Sequence, residues 1–355
     1  MTRQEWTVVE ELIEPLVAWI NAATSLRLDV STTRVSPLPG GHSNVTYLVT
    51  DGATTCLVRR PPLHVLDASA HSMSREWTLL TALDGTSVPS VTPYGYCPDT
   101  GVIGAEFLVV EYVADSVSIT DALPPAYSPD ASTIRDLGVG LVEGLASLHA
   151  VDWRAAGLEG FGRPDGFLAR QVPRWEKQYR RNEVRSIVVF DPLTAWLHDN
   201  LPPEEELTVM HGDFHLDNCL FSDQQPRLLA VIDLEMSTIG DPLMDLGLCT
   251  AFWGERRIDS FAMPKVQGVS RLQGSPSSDE LVAAYAEASG RDVSGIGWYQ
   301  AFALWKLAVV IEAAWGQHVR GELRTEYTAA LEHDVPALFT EAAAIAGLPR
   351  DGALR

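Results

Sequence analysis

The chain has 355 residues, 46% of them hydrophobic, which is enough for one large or two moderate domains with true cores. Its formal net charge of -21 argues against a nucleic-acid partner, because binding to a phosphate backbone rests on Lys and Arg; Cys56, Cys97, Cys219 and Cys249 have neither metal-site nor disulfide-framework spacing. The N-terminus lacks the basic-then-apolar pattern of a signal peptide, and even the apolar stretch Leu304 to Trp315 carries Lys306 and Glu312, so the expectation is a cytoplasmic protein without a membrane segment.

Trp6, Val9, Leu12, Ile13, Leu16, Val17 and Ile20 recur at helical spacing, and Pro15 would kink or shift that helix. Pro39-Gly40-Gly41-His42-Ser43-Asn44 then precedes a strand. Paired glycines there let backbone N–H groups approach phosphate oxygens, although a plain Gly-Gly turn is the commoner meaning of the same residues. Thr55 to Arg60 reads as a strand ending in cations, and Ser74-Arg75-Glu76 opens an amphipathic helix. A strand cation paired with Glu76 would clamp phosphates. Whether Arg59 or Arg60 serves depends on register, since one step flips the face. Phe107 to Val113 is an apolar strand running into a polar loop, suited to offering backbone groups to an adenine. The boundary between a strand-rich part, 1–113, and a mostly helical remainder, 114–355, is expected at Ala114-Asp115-Ser116.

Ile134, Leu137, Leu141, Leu145 and Leu148 form a helical apolar stripe ending at His149. Arg163 to Arg185 then gathers cations in an otherwise acidic chain. Arg174, Lys177, Arg181 and Arg185 are expected on one helical face; bordering a cleft, that face would favour a substrate carrying carboxylate or phosphate, and otherwise it is a solvated face paired with Glu176 and Glu183. The short apolar runs Leu207 to Met210, Cys219 to Phe221 and Leu228 to Ile232 read as strands. They leave His211-Gly212-Asp213-Phe214-His215-Leu216-Asp217-Asn218 and Asp233-Leu234-Glu235 in the loops at their ends. Met263 to Ser278, rich in Pro and Gly, is expected to be a mobile loop near the substrate side. Helices are expected over Asp279–Ser289, Gly297–Val319 and Thr325–Ala346, with Trp298, Phe302, Trp305 and Trp315 packing between them.

Asp213 and Asn218 have the D-x-x-x-x-N spacing of a phosphoryl-transfer loop, in which the Asp accepts a hydroxyl proton and the Asn binds Mg²⁺; Asp233 falls where a second Mg²⁺ ligand belongs. Such a reaction asks the protein for positioning and electrostatics more than for covalent chemistry. A rival reading takes the alternation of His211, Asp213, His215 and Asp217 as one face of a strand carrying a hydrolytic metal pair. Against it stand Gly212 and the turn-prone Asp217-Asn218, which break a regular strand.

Gly40-Gly-His-Ser-Asn44, Leu57-Val-Arg-Arg-Pro-Pro62, His211 to Asn218 and Glu235 to Leu246, in this order, resemble the aminoglycoside phosphotransferase family, relatives of the eukaryotic protein kinases. The resemblance spans nearly the whole chain and is closest to a sub-branch that includes kinase-like domains fused to acyl-CoA dehydrogenases. It implies an α+β, two-lobed, protein-kinase-like fold with a small antiparallel-sheet N-lobe and a larger, mostly helical C-lobe. It also implies ATP-dependent phosphorylation of a small-molecule hydroxyl with Mg²⁺. By the resemblance, Asp213 is the catalytic base, Asn218 and Asp233 bind Mg²⁺, and Glu76 is the helix partner of the strand cation. Gly40, Gly41, Ser43, Asn44 and Arg59 belong to the nucleotide site, with Glu111 and Val113 as the adenine hinge. Asp241 to Asp245 would brace the catalytic loop. The chain departs from the family in carrying Arg59 where Lys is usual and Asp-Leu-Glu in place of Asp-Phe-Gly, which makes Glu235 a candidate extra metal ligand on the same face as Asp233. Those departures leave open a nucleotide-binding relative without transfer activity. The cationic face, represented by Arg174 and Arg181, favours an anionic hydroxy acid or hydroxyacyl-CoA over an aminoglycoside.

Overall fold

The computed structural model describes residues 12–38, 44–61, 72–203, 206–254 and 267–349. Trp6, Val9, the Pro39 to Ser43 turn with Gly40, Gly41 and Ser43, and the first four residues of the Met263 to Ser278 stretch, 263–266, therefore lie outside the described residues; the rest of that stretch carries a 3-10 turn, Gly268–Arg271, with Val269 and Ser270 buried. The chain divides into two compact units. The first takes Met1–Asp115 together with Arg154–Glu159 and Leu229–Met236, and the second takes Ser116–Trp153, Gly160–Leu228 and Ser237–Arg355. Asp233 and Glu235 thus belong to the first unit, and Asp213 and Asn218 to the second.

In the first unit, five antiparallel strands lie in the order β1 (Arg34–Pro37), β2 (Val45–Thr50), β3 (Thr55–Arg60), β5 (Phe107–Glu111), β4 (Pro93–Cys97). Burial alternates along β3, so Cys56, Val58 and Arg60 point to one face while Leu57 and Arg59 point to the other, as the pleat requires. The first face is covered by α1 (Ile13–Ala23), whose Leu16, Val17 and Ile20 join Tyr47, Val49, Phe107 and Val109 in one apolar cluster. Pro15 sits in the first turn of this helix, where the missing N–H leaves no intrahelical bond unmade. Helix α2 (Met73–Leu83) is capped by the Ser72 side chain, which accepts from the Arg75 amide.

In the second unit, α3 (Ala131–His149) buries the whole Ile134 to Leu148 stripe and His149 with it. Each fully buried Leu contributes about 1.5–3 kcal/mol relative to an exposed one. Two short antiparallel pairs flank the catalytic segment: β6 (Ser116–Ser118) with β8 (Cys219–Ser222), and β7 (Thr208–Met210) with β10 (Thr238–Gly240). The first unit also holds most of β9 (Leu228–Val231), where Val231 donates its amide to Pro89. Helices α4 (Gln171–Asn182), α5 (Phe190–Asp199), α6 (Leu243–Ala251), α7 (Ser278–Ser289), α8 (Ile296–Arg320) and α9 (Glu326–Ile345) build the rest. Trp298, Phe302 and Trp305 of α8 are buried among them, whereas Trp315 is only partly covered. Gly247 lets α6 lie directly on α8, since a Cβ there would stand 2.7 Å from the Tyr299 carbonyl carbon. No described helix is long and apolar enough to cross a membrane.

Candidate active site

In the first unit the strand cation Arg59 meets the helix carboxylate Glu76 and the loop carboxylate Asp233. Arg59 forms an ion pair with Glu76 through one guanidinium nitrogen and reaches Asp233 at 3.6 Å through another. Arg60 turns to the opposite face, where its guanidinium donates to the Tyr47 hydroxyl at 3.0 Å and lies over that ring. Glu76 is 2% exposed; burial raises its pKa, and Arg59 is the main opposing influence. Burial also works against the Arg59 charge, yet the carboxylates of Glu76, Asp233 and Glu235 outweigh it and raise the guanidinium pKa. Asn44 donates to Glu235 at 3.0 Å, while its own carbonyl oxygen and one oxygen of Glu76 are buried without a hydrogen-bond partner.

Asp233 adopts a left-handed backbone with φ 62, a conformation that Asp tolerates better than most residues and that ends the preceding strand. The chain then enters a 3-10 turn, Leu234–Met236. Strand alternation therefore does not place Glu235 on the face of Asp233, contrary to expectation; a helical turn rotates successive side chains by far less than the half-turn of a pleat. Glu111, at the end of β5, has its carboxylate occupied by the amide and hydroxyl of Thr92 at 3.0 and 2.7 Å. Any contact to an adenine from this segment falls to the backbone between Glu111 and Val113.

In the second unit, the segment His211 to Asn218 is no strand. Gly212 has φ 86, and Leu216–Asn218 is a 3-10 turn, so the four-residue alternation read as a metal face does not exist. What shapes the loop is Asp245 at the start of α6, whose carboxylate accepts from the amides of His211 at 2.6 Å and Gly212 at 2.8 Å. Asp245 is held in turn by His149 at 3.2 Å, and the other His149 nitrogen meets the Tyr285 hydroxyl at 2.7 Å. The Asp213 side chain is 50% exposed and lies 3.5 Å from His215. Burial pushes its pKa up, but hydrogen bonding and charge from His215, with the charges of His211 and Lys306, outweigh that and keep the carboxyl below its usual value. Asn218 is 8% exposed, and its amide nitrogen meets the Asp213 carbonyl at 2.9 Å, the Asp213 carboxylate at 3.4 Å and His215 at 3.3 Å. Those contacts occupy the amide nitrogen, so the carboxamide oxygen is the atom of Asn218 that could ligate a metal.

The cationic segment is only partly as expected. Arg185 lies beyond α4 and is structural: it pairs with buried Glu312 at 2.8 Å and donates to the Leu331 and Glu332 carbonyls. Glu176 and Glu183 pair with Arg180, and Glu176 also with His198, rather than with Arg174 or Arg181. Arg163, Arg170, Arg174 and Lys177, with Phe167 and Thr238, line a cleft of about 700 Å³, which Arg181 does not line. None of these four cations has a carboxylate partner among the described residues, although Arg135, Arg180, Arg185, Arg291 and Arg320 all do. Arg174 and Lys306 lie against the same Trp175 ring, at 5.0 and 5.3 Å from its centroid. Burial lowers the Lys306 pKa, and the charges of Asp213 and Asp245 oppose that shift. Lys306 did not stand out in the sequence as a site residue, and His215 entered only as one ligand of the rival metal reading. A single ammonium inside an otherwise apolar helical run was the signal for the first.

Among the described residues no three His, Cys, Asp or Glu side chains are grouped to hold a metal ion. The Phosphotransferase enzyme family model matches residues 34–291. The chain belongs to that family. Within it, the chain is 34% identical over 300 residues to the acyl-CoA dehydrogenase family member 11 of Homo sapiens, covering 83% of this chain and 38% of that protein. It is 30% identical over 306 residues to the probable acyl-CoA dehydrogenase IBR3 of Arabidopsis thaliana, covering 81% of this chain and 37% of that protein. The chain thus spans little more than a third of either of these two relatives. Among solved structures, a candidate aminoglycoside phosphotransferase from Ralstonia eutropha superposes with a TM-score of 0.79 at 28% identity, over 94% of this chain and 98% of that one. A choline kinase from Cryptosporidium parvum shares the fold, with a TM-score of 0.62 at 12% identity, over 94% of this chain and 96% of that one. The fold is accordingly the two-lobed, kinase-like α+β architecture.

Proposed function

We propose that this phosphotransferase uses ATP to phosphorylate a hydroxyl group of a small molecule, with Asp213 as the base that orients and deprotonates that hydroxyl. The observation that carries the reading is the loop from His211 to Asn218: its amides are pinned by Asp245, its carboxylate is half-exposed and held ionised, and Asn218 is tied to it with its amide oxygen to spare. In the first unit, Arg59 braced by Glu76 would grip phosphate oxygens through its planar fork. Asn44, with Gly40, Gly41 and Ser43, would take part in the phosphate turn, and Glu111 to Val113 would serve the adenine. Asp233 and Glu235 in the first unit, and the Asn218 oxygen in the second, are each hard oxygen donors of the kind Mg²⁺ takes. The bound ion would neutralise charge on the β and γ phosphates during transfer.

The acceptor we favour is anionic, a hydroxy acid or its coenzyme A ester, ahead of a cationic aminoglycoside. The four unpaired cations of the cleft support this, and so do relatives named for acyl-CoA chemistry. A cytoplasmic setting fits four buried, unbridged thiols.

Two experiments test the reading. Asp213→Asn is expected to lower kcat by about a thousandfold with nucleotide affinity intact, whereas Asp233→Asn weakens Mg²⁺-dependent nucleotide binding itself. Equal loss of nucleotide affinity in both variants contradicts the roles. In a screen of hydroxylated metabolites, Arg174→Glu should raise KM for anionic acceptors by at least about tenfold, the worth of one charge-assisted contact, and Arg181→Glu much less; no difference between anionic and cationic acceptors removes the substrate assignment. ATP consumption absent with every acceptor, alongside Mg²⁺-dependent ATP binding, would favour the silent nucleotide-binding reading that Arg59 leaves open.

A further inference from the structure

Gln267 is fully buried and polar, and it holds a left-handed backbone, φ 50 and ψ 35, without being glycine. Both features cost free energy, so both need compensation from what the side chain does. Its carboxamide oxygen accepts from the Leu216 amide at 3.2 Å and from the Cys249 thiol at 3.7 Å, while its nitrogen donates to the Cys249 carbonyl at 2.8 Å. Leu216 belongs to the turn that carries Asn218, and Cys249 belongs to α6.

The catalytic loop is therefore held to one helix at two places. Asp245 takes the His211 and Gly212 amides at the near end, and Gln267 bridges from Cys249 to Leu216 at the far end. A carboxamide suits this bridge because one group must accept on one side and donate on the other; Glu lacks the donor and Met lacks both. The backbone beside it is anchored independently, through the Val269 amide on the Thr120 carbonyl at 3.0 Å and the Ser270 amide on the Gln267 carbonyl at 2.9 Å. Losing the side chain should leave the backbone course in place.

We propose that Gln267 is a positioning residue: its carboxamide fixes the turn that carries Asn218 against α6, and so sets where Asn218 stands relative to Asp213. The functional part of this inference rests on the metal-binding role proposed for Asn218. The structural part does not.

The test uses the full chain, with Gln267→Met to keep volume without polar atoms and Gln267→Gly to relieve the left-handed backbone. In both variants, hydrogen exchange at the Leu216 amide should quicken by about tenfold, roughly the effect of losing one hydrogen bond to a buried group. The gain in affinity for the non-hydrolysable analogue AMPPNP on adding Mg²⁺ should shrink by about as much, with affinity in EDTA unchanged. A merely structural role would lower affinity in both conditions alike. Exchange at Leu216 that stays at the wild-type rate in both variants overturns the proposal, as does parallel loss of affinity with and without Mg²⁺. If the wild-type protein itself gains nothing from Mg²⁺, the proposed function fails, and exchange at Leu216 alone then decides whether Gln267 holds the turn.

Discussion

Arg59 and Glu76 are an uneven pair: the carboxylate is almost fully buried, and the guanidinium keeps a small opening to solvent while also facing Asp233. Removing the cation leaves a buried carboxylate uncompensated, a loss of about 3–5 kcal/mol when a partner is deleted from such a pair. Arg59→Met is therefore expected to lower the denaturant midpoint markedly, and Arg59→Met with Glu76→Leu to recover most of the loss. A double variant no more stable than the single one would show that Glu76 is not the group left stranded. At this scale the sequence was a good guide to residue type and a poor one to facing. The D-x-x-x-x-N spacing of Asp213 and Asn218 and a cation at the end of β3 were legible in the sequence. The choice between Arg59 and Arg60 was not, because it turns on a register that only the pairing of β3 with its neighbours sets.

Among the elements, α3 and the three C-terminal helices were the most readable, since a 3.6-residue apolar period over many turns admits little else. The segment His211 to Asn218 is a loop, as Gly212 and Asp217-Asn218 suggested, and the rival strand reading fails. Its course follows from the Asp245 carboxylate gripping two amides 33 and 34 residues away in sequence, a brace that the family resemblance implied for Asp241 to Asp245 and that no local pattern announces. The buried chain Tyr285, His149, Asp245 that backs this grip has a pH consequence. Burial lowers the His149 pKa more than its hydrogen bond to Asp245 raises it, so the folded protein binds this proton less readily than the unfolded chain. The stability it contributes is complete above the unfolded value of about 6.5 and is lost as pH falls towards the folded value, at up to about 1.4 kcal/mol per pH unit. Thermal midpoints of the wild type and His149→Gln, measured from pH 7.5 to 5, should converge as the pH drops. A constant gap between them would mean that His149 keeps its proton on unfolding and folding alike.

For the whole molecule, composition allowed one large or two moderate cores and announced a net acidic charge, and the cleft lined by cations without a carboxylate partner among the described residues is an exception to that charge whose membership the fold decides. Arg163 and Arg170 come to it from outside α4, while Arg185, counted with it in sequence, is drawn away to Glu312. The division into units also departs from a single cut. Arg154–Glu159 and Leu229–Met236 belong to the first unit although they lie within the sequence of the second, so the chain passes between the units more than once. Calorimetry should therefore show one cooperative transition, with equal calorimetric and van't Hoff enthalpies; two separate peaks would contradict this coupling.

That interleaving limits how the protein can be re-engineered. A chimaera made by grafting another enzyme's first 115 residues would keep the host's Asp233 and Glu235 beside a foreign guanidinium or ammonium, so a workable exchange must carry the eight-residue return segment across with the sheet.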